Sequence, residues 1–414
     1  ALAAFDAATF FEVVAWIGAI TAFLLATQAI VNPEIKKVLA YSTGSQIGYM
    51  MMALGIAGLS TQFVDGYTAG FFHLMSHAMF KASLFMAAGA ILHAVGTRFM
   101  TDMGGLRKNM KKTFIFMLLS SLSLAGAPLI TSGFWSKDAI FAALLDSGSA
   151  SGGALFVIAF IIAIMTAFYT FRMVGMVFFG TKSRHIISIE QPTSHISYSS
   201  TPVVSHSDEK MENEKESHHK IGDGSPLMWV PFAILAIATI LIGLIGFVFE
   251  AQIHSIMSSY LSSSFGIGEE GGVHGAISGN NHETAIAINP IALISSFVAF
   301  GIGAGLGIIF YIVRKKDPNI ISQYPLMQKA WIFLYNRWYL NSLIYLGFVQ
   351  IPARTFNLIW KYFENIVAQG INPAIQYSMA YLSKWVKYTQ TGVAQTYLFV
   401  FAAGIIIVLI MLFL

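Results

Sequence analysis

Residues 70–81 read Gly70-Phe71-Phe72-His73-Leu74-Met75-Ser76-His77-Ala78-Met79-Phe80-Lys81. They lie in an apolar run, Tyr67–Val95, whose one formally charged residue is Lys81. Crossing a hydrocarbon core as a helix takes roughly 20 mostly apolar residues, so this run is long enough to span. His73, His77 and Lys81 recur at every fourth position. On a helix of 3.6 residues per turn they form one polar stripe, and Phe, Leu, Met and Ala cover the other faces. A membrane-crossing helix with its polar stripe turned into a bundle is therefore expected.

The rest of the chain agrees. It has 414 residues, 56% hydrophobic and 11% charged, with a mean hydropathy of +0.67. A soluble domain averages about 25% charged residues, so the bilayer is the expected solvent. Further candidate spans are Glu12–Val31, Val38–Leu59, Thr113–Asp146, Ala154–Phe179, Leu227–Phe249, Ile286–Val313 and Gln395–Leu414. The expected fold class is all-α: a polytopic transmembrane helix bundle with one broken helix, a lateral amphipathic helix and a C-terminal anchor helix. Phe5–Ile30 runs directly into the first span without a basic region or small-residue cleavage site, so no signal peptide is expected. Cysteine is absent, which excludes disulfides, thiolate metal sites and cysteine-ligated clusters in these residues.

Thr113–Asp146 is too long for one straight crossing. At 1.5 Å per residue it would reach about 50 Å against a core of about 30 Å. It contains Gly126, Pro128, Ser132 and Gly133, and proline removes a backbone donor and clashes with the preceding turn. Two half-helices joined near Thr131–Gly133 are expected. Unwound backbone at membrane depth is tolerated only inside protein or beside a water-filled cavity, which suggests a transport path.

Charge placement supports this topology. Lys36 and Lys37, then Arg98, Arg107, Lys108, Lys111 and Lys112, follow the first and third spans. Lys182, Arg184, Lys210, Lys215 and Lys220, then Arg314, Lys315 and Lys316, follow the fifth and seventh. The intervening loops carry no Lys or Arg. All basic loops therefore share one face, which the positive-inside rule makes cytoplasmic. The loops Ser183–Ser225 and Ser262–Glu283 are hydrophilic and read as solvated connectors. Their histidines (His185, His195, His206, His218, His219, His274 and His282) read as polar loop filler, and no metal site is expected.

Tyr324–Tyr388 is apolar and aromatic but interrupted by Lys329, Arg337, Arg354, Lys361, Glu364, Lys384 and Lys387. Trp331, Leu334, Trp338, Tyr345 and Phe348 favour a surface-lying amphipathic helix, broken at Pro352, Gly370 and Pro373. Such a segment, re-anchored by Gln395–Leu414, suits a strap across neighbouring subunits.

Lys81 and Lys137 are the basic residues deep in spans; Arg172 lies nearer the inner boundary and can snorkel. A charge at the bilayer centre costs about 2.5–3.5 kcal/mol on insertion scales and marks an ion pathway. The His73/His77/Lys81 stripe, with Ser76 and Ser83 nearby and His93 farther along, reads as a proton relay, since imidazole titrates near neutrality. Structural histidines and a bis-histidine haem site are the alternatives; haem needs ligands from opposing helices, and no second strong intramembrane histidine is visible. Lys137 lies just past the break, in Ser132-Gly133-Phe134-Trp135-Ser136-Lys137-Asp138. The free amides of the restarting helix oppose its charge, and the Asp138 carboxylate favours it. Ser132 or Ser136 is the expected cap.

These stretches resemble the antiporter-like subunits of complex I, and within them the distal L subunit, subunit 5 in mitochondria. The matching text is Asn32-Pro33-Glu34-Ile35-Lys36-Lys37-Val38-Leu39-Ala40-Tyr41-Ser42-Thr43, then Ser45-Gln46-Ile47-Gly48-Tyr49, Phe72–Lys81, Met103-Gly104-Gly105-Leu106-Arg107, Gly133–Asp138 and Tyr169-Thr170-Phe171-Arg172-Met173. The strap and Gln390-Thr391-Gly392 resemble the lateral helix region, with Asn341 and Ser342 where acidic residues are expected.

The resemblance implies a proton-translocating membrane subunit of a complex I-like redox pump, of NADH-quinone or F420H2 dehydrogenase type. His73, His77 and Lys81 would lie on a central hydrated axis, with Lys137 and Asp138 in the exit half-channel. The chain would begin midway through the family pattern, without the inverted repeat that carries the uptake-side glutamate and lysine. Residues 1–180 would be the C-terminal half of the core, 181–225 a cytoplasmic-side loop, and 226–313 two added helices with a polar outer loop. Residues 314–390 would form the lateral region and 391–414 the anchor. Expected partners are other membrane-arm subunits, especially the adjacent antiporter-like subunit, with protons, water and lipid but no nucleic acid. The expected location is an energy-transducing membrane, a prokaryotic plasma membrane. The chain would serve a respiratory NADH-quinone oxidoreductase-like translocase, holding no redox cofactor or metal itself. An Mrp-type sodium/proton antiporter subunit and a non-conducting strap subunit are the rival readings.

Overall fold

The computed structural model describes residues 7–60, 63–190, 221–265, 289–313 and 324–413. Among these the secondary structure is helical, apart from one isolated antiparallel bridge between Glu34 and Phe99. The chain forms two compact units, Ala1–Asn336 and Arg337–Leu414.

The first unit opens with α1 (Ala7–Val31), α2 (Ile35–Ala57) and α3 (Phe63–Val95). α1 and α2 pack closely because small residues line their contact. Ala15, Ala19, Ala22, Ala26 and Ala29 of α1 are buried at helical spacing. A Cβ on Gly48 would fall 2.6 Å from the Gly18 carbonyl oxygen. Apolar surface gains little from leaving lipid, so such close approach and the Ser45–Ala22 carbonyl hydrogen bond (2.8 Å) hold the pair. After α3 come α4 (Lys111–Ala125), α5 (Ser132–Asp146) and α6 (Gly152–Phe178), then the short α7 (Arg184–Glu190). α8 (Pro226–Phe265) packs on α3, and α9 (Pro290–Gly307), prolonged by a π-turn over Ile308–Ile312, packs along α6. α10 (Pro325–Tyr335) ends the unit.

The basic face is tied together by backbone. Ile35 N donates to Arg98 O, Met100 N to Pro33 O and Gly105 N to Phe179 O. Glu34 pairs with Lys37 and with Arg98. Arg172 donates from Nη1 to Asn32 O at 2.9 Å, so its charge reaches this layer from inside α6. Asp223 accepts from the backbone N–H groups of Lys112 and Thr113, satisfying the start of α4.

The second unit holds α11 (Leu340–Tyr345), α12 (Ile351–Glu364), α13 (Asn372–Thr389) and the terminal α14 (Ala394–Phe413). On α12, Arg354, Asn357, Lys361 and Glu364 line one stripe while Phe356, Ile359, Trp360 and Phe363 line another. The breaks differ from expectation. Pro352 and Pro373 do not interrupt the helical path: π-turns over Leu346–Gln350 and Asn365–Ile371 precede them. A wider turn relieves the clash of a proline ring with the carbonyl four residues back. The sharp break lies at Arg337–Tyr339, where consecutive residues take positive φ. Residues 340–389 extend up to about 75 Å at helical rise.

Six of the described helices are long and apolar enough to cross a membrane: α1, α3, α6, α8 over Pro226–Ile245, α9 with its extension, and α14. α4 and α5 are each too short alone and are the halves of the expected broken helix. Of the loop histidines, His185 meets the Val95 carbonyl at 2.9 Å; His195, His206, His218, His219, His274 and His282 lie outside the described residues.

Two outcomes test this fold. Gly48→Val should destabilise the α1–α2 pair by about 1–3 kcal/mol or more through overpacking. Its measure is loss of the protein from the membrane fraction, while Gly89→Ala, where an added Cβ meets nothing, leaves the level unchanged. Because the sequence lacks cysteine, Lys108→Cys and Ala150→Cys should be labelled by an impermeant maleimide from opposite faces of the membrane.

Candidate functional site

The broken helix organises the site. α4 ends on Gly126, whose left-handed backbone (φ 78°) lets Gly126 N bond Ser123 O and Ala127 N bond Leu122 O. α5 restarts at Ser132 with Thr131 as its cap, accepting from Phe134 N at 3.3 Å. The cap is thus Thr131, one residue before the serine expected, and the linker is Gly126–Thr131 rather than Thr131–Gly133. The halves overlap instead of meeting end to end. A Cβ on Gly133 would sit 1.8 Å from Ser123 O, and Gly133 N donates to Ser123 Oγ at 3.1 Å.

Lys137, one turn into α5, is 4% exposed and donates from Nζ to Leu124 O at 2.6 Å. Its ammonium therefore lies at the C-terminal carbonyls of α4, the end of a helix dipole that favours a cation. By sequence spacing Lys137 lies near the N-terminus of its own helix, but side-chain length carries the charge across to the other half. Asp138 turns elsewhere. Its Oδ1 accepts from Ser296 Oγ of α9 at 2.9 Å, and no ion pair joins it to Lys137 among the described residues. Farther along α5, Asp146 accepts from Asn289 at 2.8 Å. These two bonds set α5 and α9 antiparallel in register. A small cavity beside Lys137 is lined by Gly126, Phe134, Ser296 and Phe300.

The stripe on α3 faces α2 and α5. Lys81 is 5% exposed and donates to Ser42 Oγ and, at 3.1 Å, to Leu39 O. His73, wholly buried, meets Gln46 Oε1 through Nε2 at 3.0 Å and Ser136 Oγ through Nδ1 at 2.9 Å. The polarity of this chain follows from Thr166. Its hydroxyl proton is used on Ile162 O (2.8 Å), so it can only accept from Gln46 Nε2. That leaves Gln46 Oε1 toward His73, whose Nε2 then carries the proton; neutral His73 accepts at Nδ1 from Ser136, whose one proton is closer to this nitrogen (2.9 Å) than to the Gly133 carbonyl (3.5 Å). The His73 and His77 rings lie 6.4 Å apart between centroids, and His77 Nε2 and Ser76 Oγ are buried without a hydrogen-bond partner. Ser83 faces away from the stripe, bonded to Ser120 and to the Phe232 carbonyl, and His93 is exposed.

The structure thus links His73 to Ser136, the neighbour of Lys137, and gives Lys81 and Asp138 separate partners. Sequence reasoning missed Ser42, Gln46, Ser136 as a histidine partner, Tyr169 and Ser296. Ser42 and Gln46, four apart in an apolar span, carried a readable signal; Ser296, one serine in the remote α9, carried none. Among the described residues no cluster of three or more metal-ligating side chains occurs.

Known proteins resemble the chain along most of its length. Residues 2–168 match the family described as NADH:quinone oxidoreductase/Mrp antiporter, transmembrane. NAD(P)H-quinone oxidoreductase chain 5 of Picosynechococcus sp. is 32% identical over 410 residues, 95% of this chain and 54% of that protein. F(420)H(2) dehydrogenase subunit L of Methanosarcina mazei is 29% identical over 413 residues, 96% of this chain and 54% of that protein. The chain therefore spans about half the length of these curated relatives. The solved structure of an Mrp complex from Dietzia sp. DQ12-45-1b superposes with a TM-score of 0.48 at 23% identity, covering 62% of this chain and 47% of that one. Residues 2–168 thus resemble the NADH:quinone oxidoreductase/Mrp antiporter transmembrane segment, and nearly the whole chain is similar to about half of the subunit L and chain 5 proteins.

Proposed function

We propose that this chain translocates protons as a membrane subunit of a complex I-like redox pump. The observation that carries the reading is the pair of amino groups held inside the bundle rather than against lipid, Lys137 on the carbonyl end of α4 and Lys81 on a hydroxyl and a carbonyl of α2. Keeping a cation there is costly, and carriage of protons repays the cost. Moving a proton against 100 mV takes about 2.3 kcal/mol, within the reach of two buried cations whose charges repel. The buried, partnerless His77 Nε2 and Ser76 Oγ suit bridging waters, since such atoms are costly to leave unbonded. Lys137 passes its proton toward Asp138 and the cavity beside Ser296, on the side away from the basic loops. The amphipathic α12 and α13 act as a strap on neighbouring subunits, the adjacent antiporter-like subunit first. Electron transfer takes place elsewhere in the assembly, with a quinone or a phenazine as acceptor, in an energy-transducing membrane such as a prokaryotic plasma membrane.

In inverted membrane vesicles energised by NADH or reduced F420, Lys81→Ala and Lys137→Ala should each lower proton uptake per electron by about tenfold while the protein remains in the membrane. Wild-type uptake in both variants sinks the proposal, and uptake that requires sodium moves the chain to the antiporter reading. Ser296→Ala, which strips Asp138 of its donor, should slow uptake several-fold, and Ser296→Thr should restore it; equal rates in both would remove Asp138 from the path.

A further inference from the structure

Tyr169 of α6 is wholly buried, and its hydroxyl holds no hydrogen bond. Thr166, Ser42 and Gln46 lie close enough to interact with it, and none of them meets it in full hydrogen-bond geometry. Those neighbours are not equivalent. Ser42 is the partner of the Lys81 ammonium, and Gln46 is the partner of His73 Nε2. The tyrosine hydroxyl therefore stands at the open link between the lysine end of the polar file and its histidine end. An orphaned hydroxyl in a packed interior is costly. Tyr49, on the facing α2, shows the usual solution: its hydroxyl donates to the Ala159 carbonyl at 2.6 Å.

We propose that the Tyr169 hydroxyl is a rotor that couples the protonation of Lys81 to the hydrogen bond of His73. When Lys81 is an ammonium, it donates to Ser42 Oγ, and Ser42 donates to Leu39 O at 2.9 Å. The serine's proton and one of its two lone pairs are then taken, the ammonium crowds the other, and the tyrosine proton turns to the free lone pair of Gln46 Oε1. When Lys81 has released its proton, the neutral amine needs a donor. Ser42 supplies one, and its oxygen becomes free to accept from Tyr169. Gln46 Oε1 then has His73 as its one donor. One N–H bond of Lys81 breaks, its proton passing as the transported one to a water bridging to His77 Nε2; all other changes are among hydrogen bonds. Tyr169 is thus a positioning residue, acting on His73 through Gln46, and its role rests on the proton-translocation reading.

The test is Tyr169→Phe in the intact membrane complex, which removes one oxygen and keeps the ring. Proton uptake per electron in inverted vesicles should fall about fivefold, the size set by one hydrogen bond, with the protein level unchanged. The double variant with Lys81→Ala should be no worse than Lys81→Ala alone, because both act on one link; a merely structural hydroxyl would give additive losses. Tyr49→Phe removes a hydroxyl from the same helix pair and should leave the ratio at its wild-type value. Normal coupling in Tyr169→Phe, additive losses, or an equal loss in Tyr49→Phe would each overturn the rotor. Normal coupling in Lys81→Ala would overturn the translocation reading beneath it.

Discussion

The constraint on which the molecule turns is that a helix interrupted at membrane depth exposes polar backbone that lipid cannot satisfy. Here the two halves satisfy one another. Ser123, in the last turn of α4, accepts from the Gly133 amide of α5. Lys137, in the first turns of α5, donates to the Leu124 carbonyl of α4. A side chain from each half closes the open end of the other. This needs the halves to overlap, which is why Gly133 has no room for a Cβ beside Ser123. The cation is both a structural cap and the group proposed to carry a proton, so its loss of charge must disturb the break itself.

A second charge, Lys81, is housed differently. It rests on a serine and a carbonyl of α2, a helix fixed to α1 by glycine and alanine contacts that leave little freedom to shift. The rigid α1–α2 pair is the backing against which α3 and α6 present their polar faces. On the inner side, Arg172 and the Glu34 cluster anchor the same helices to the basic loops. Packing without slack around an ionisable group is what gives a single hydroxyl proton, such as that of Tyr169, an effect on its neighbours.

Much of this was legible in the sequence. The four-residue spacing of His73, His77 and Lys81 placed the stripe, and Gly126 with Pro128 placed the break to within a few residues. What escaped reading was partner choice. Lys137 looked opposed by its own helix because sequence spacing measures distance along a chain, whereas the side chain spans the gap to a different helix end. Asp138 looked like its companion because it is adjacent, yet neighbours on a helix point about 100° apart. Pro352 and Pro373 looked like breaks because their absorption by a preceding π-turn has no sequence mark.

The antiparallel register of α5 and α9, held by the Asp138–Ser296 and Asp146–Asn289 bonds, bears on modularity. α9 lies beyond residues 2–168, the portion matched to the family. A minimal protein trimmed to that matched portion would leave both α5 carboxylates without their donors, one of them deep in the bundle. Grafting that portion into another scaffold would thus succeed only if the host brought a helix bearing a hydroxyl and an amide seven residues apart.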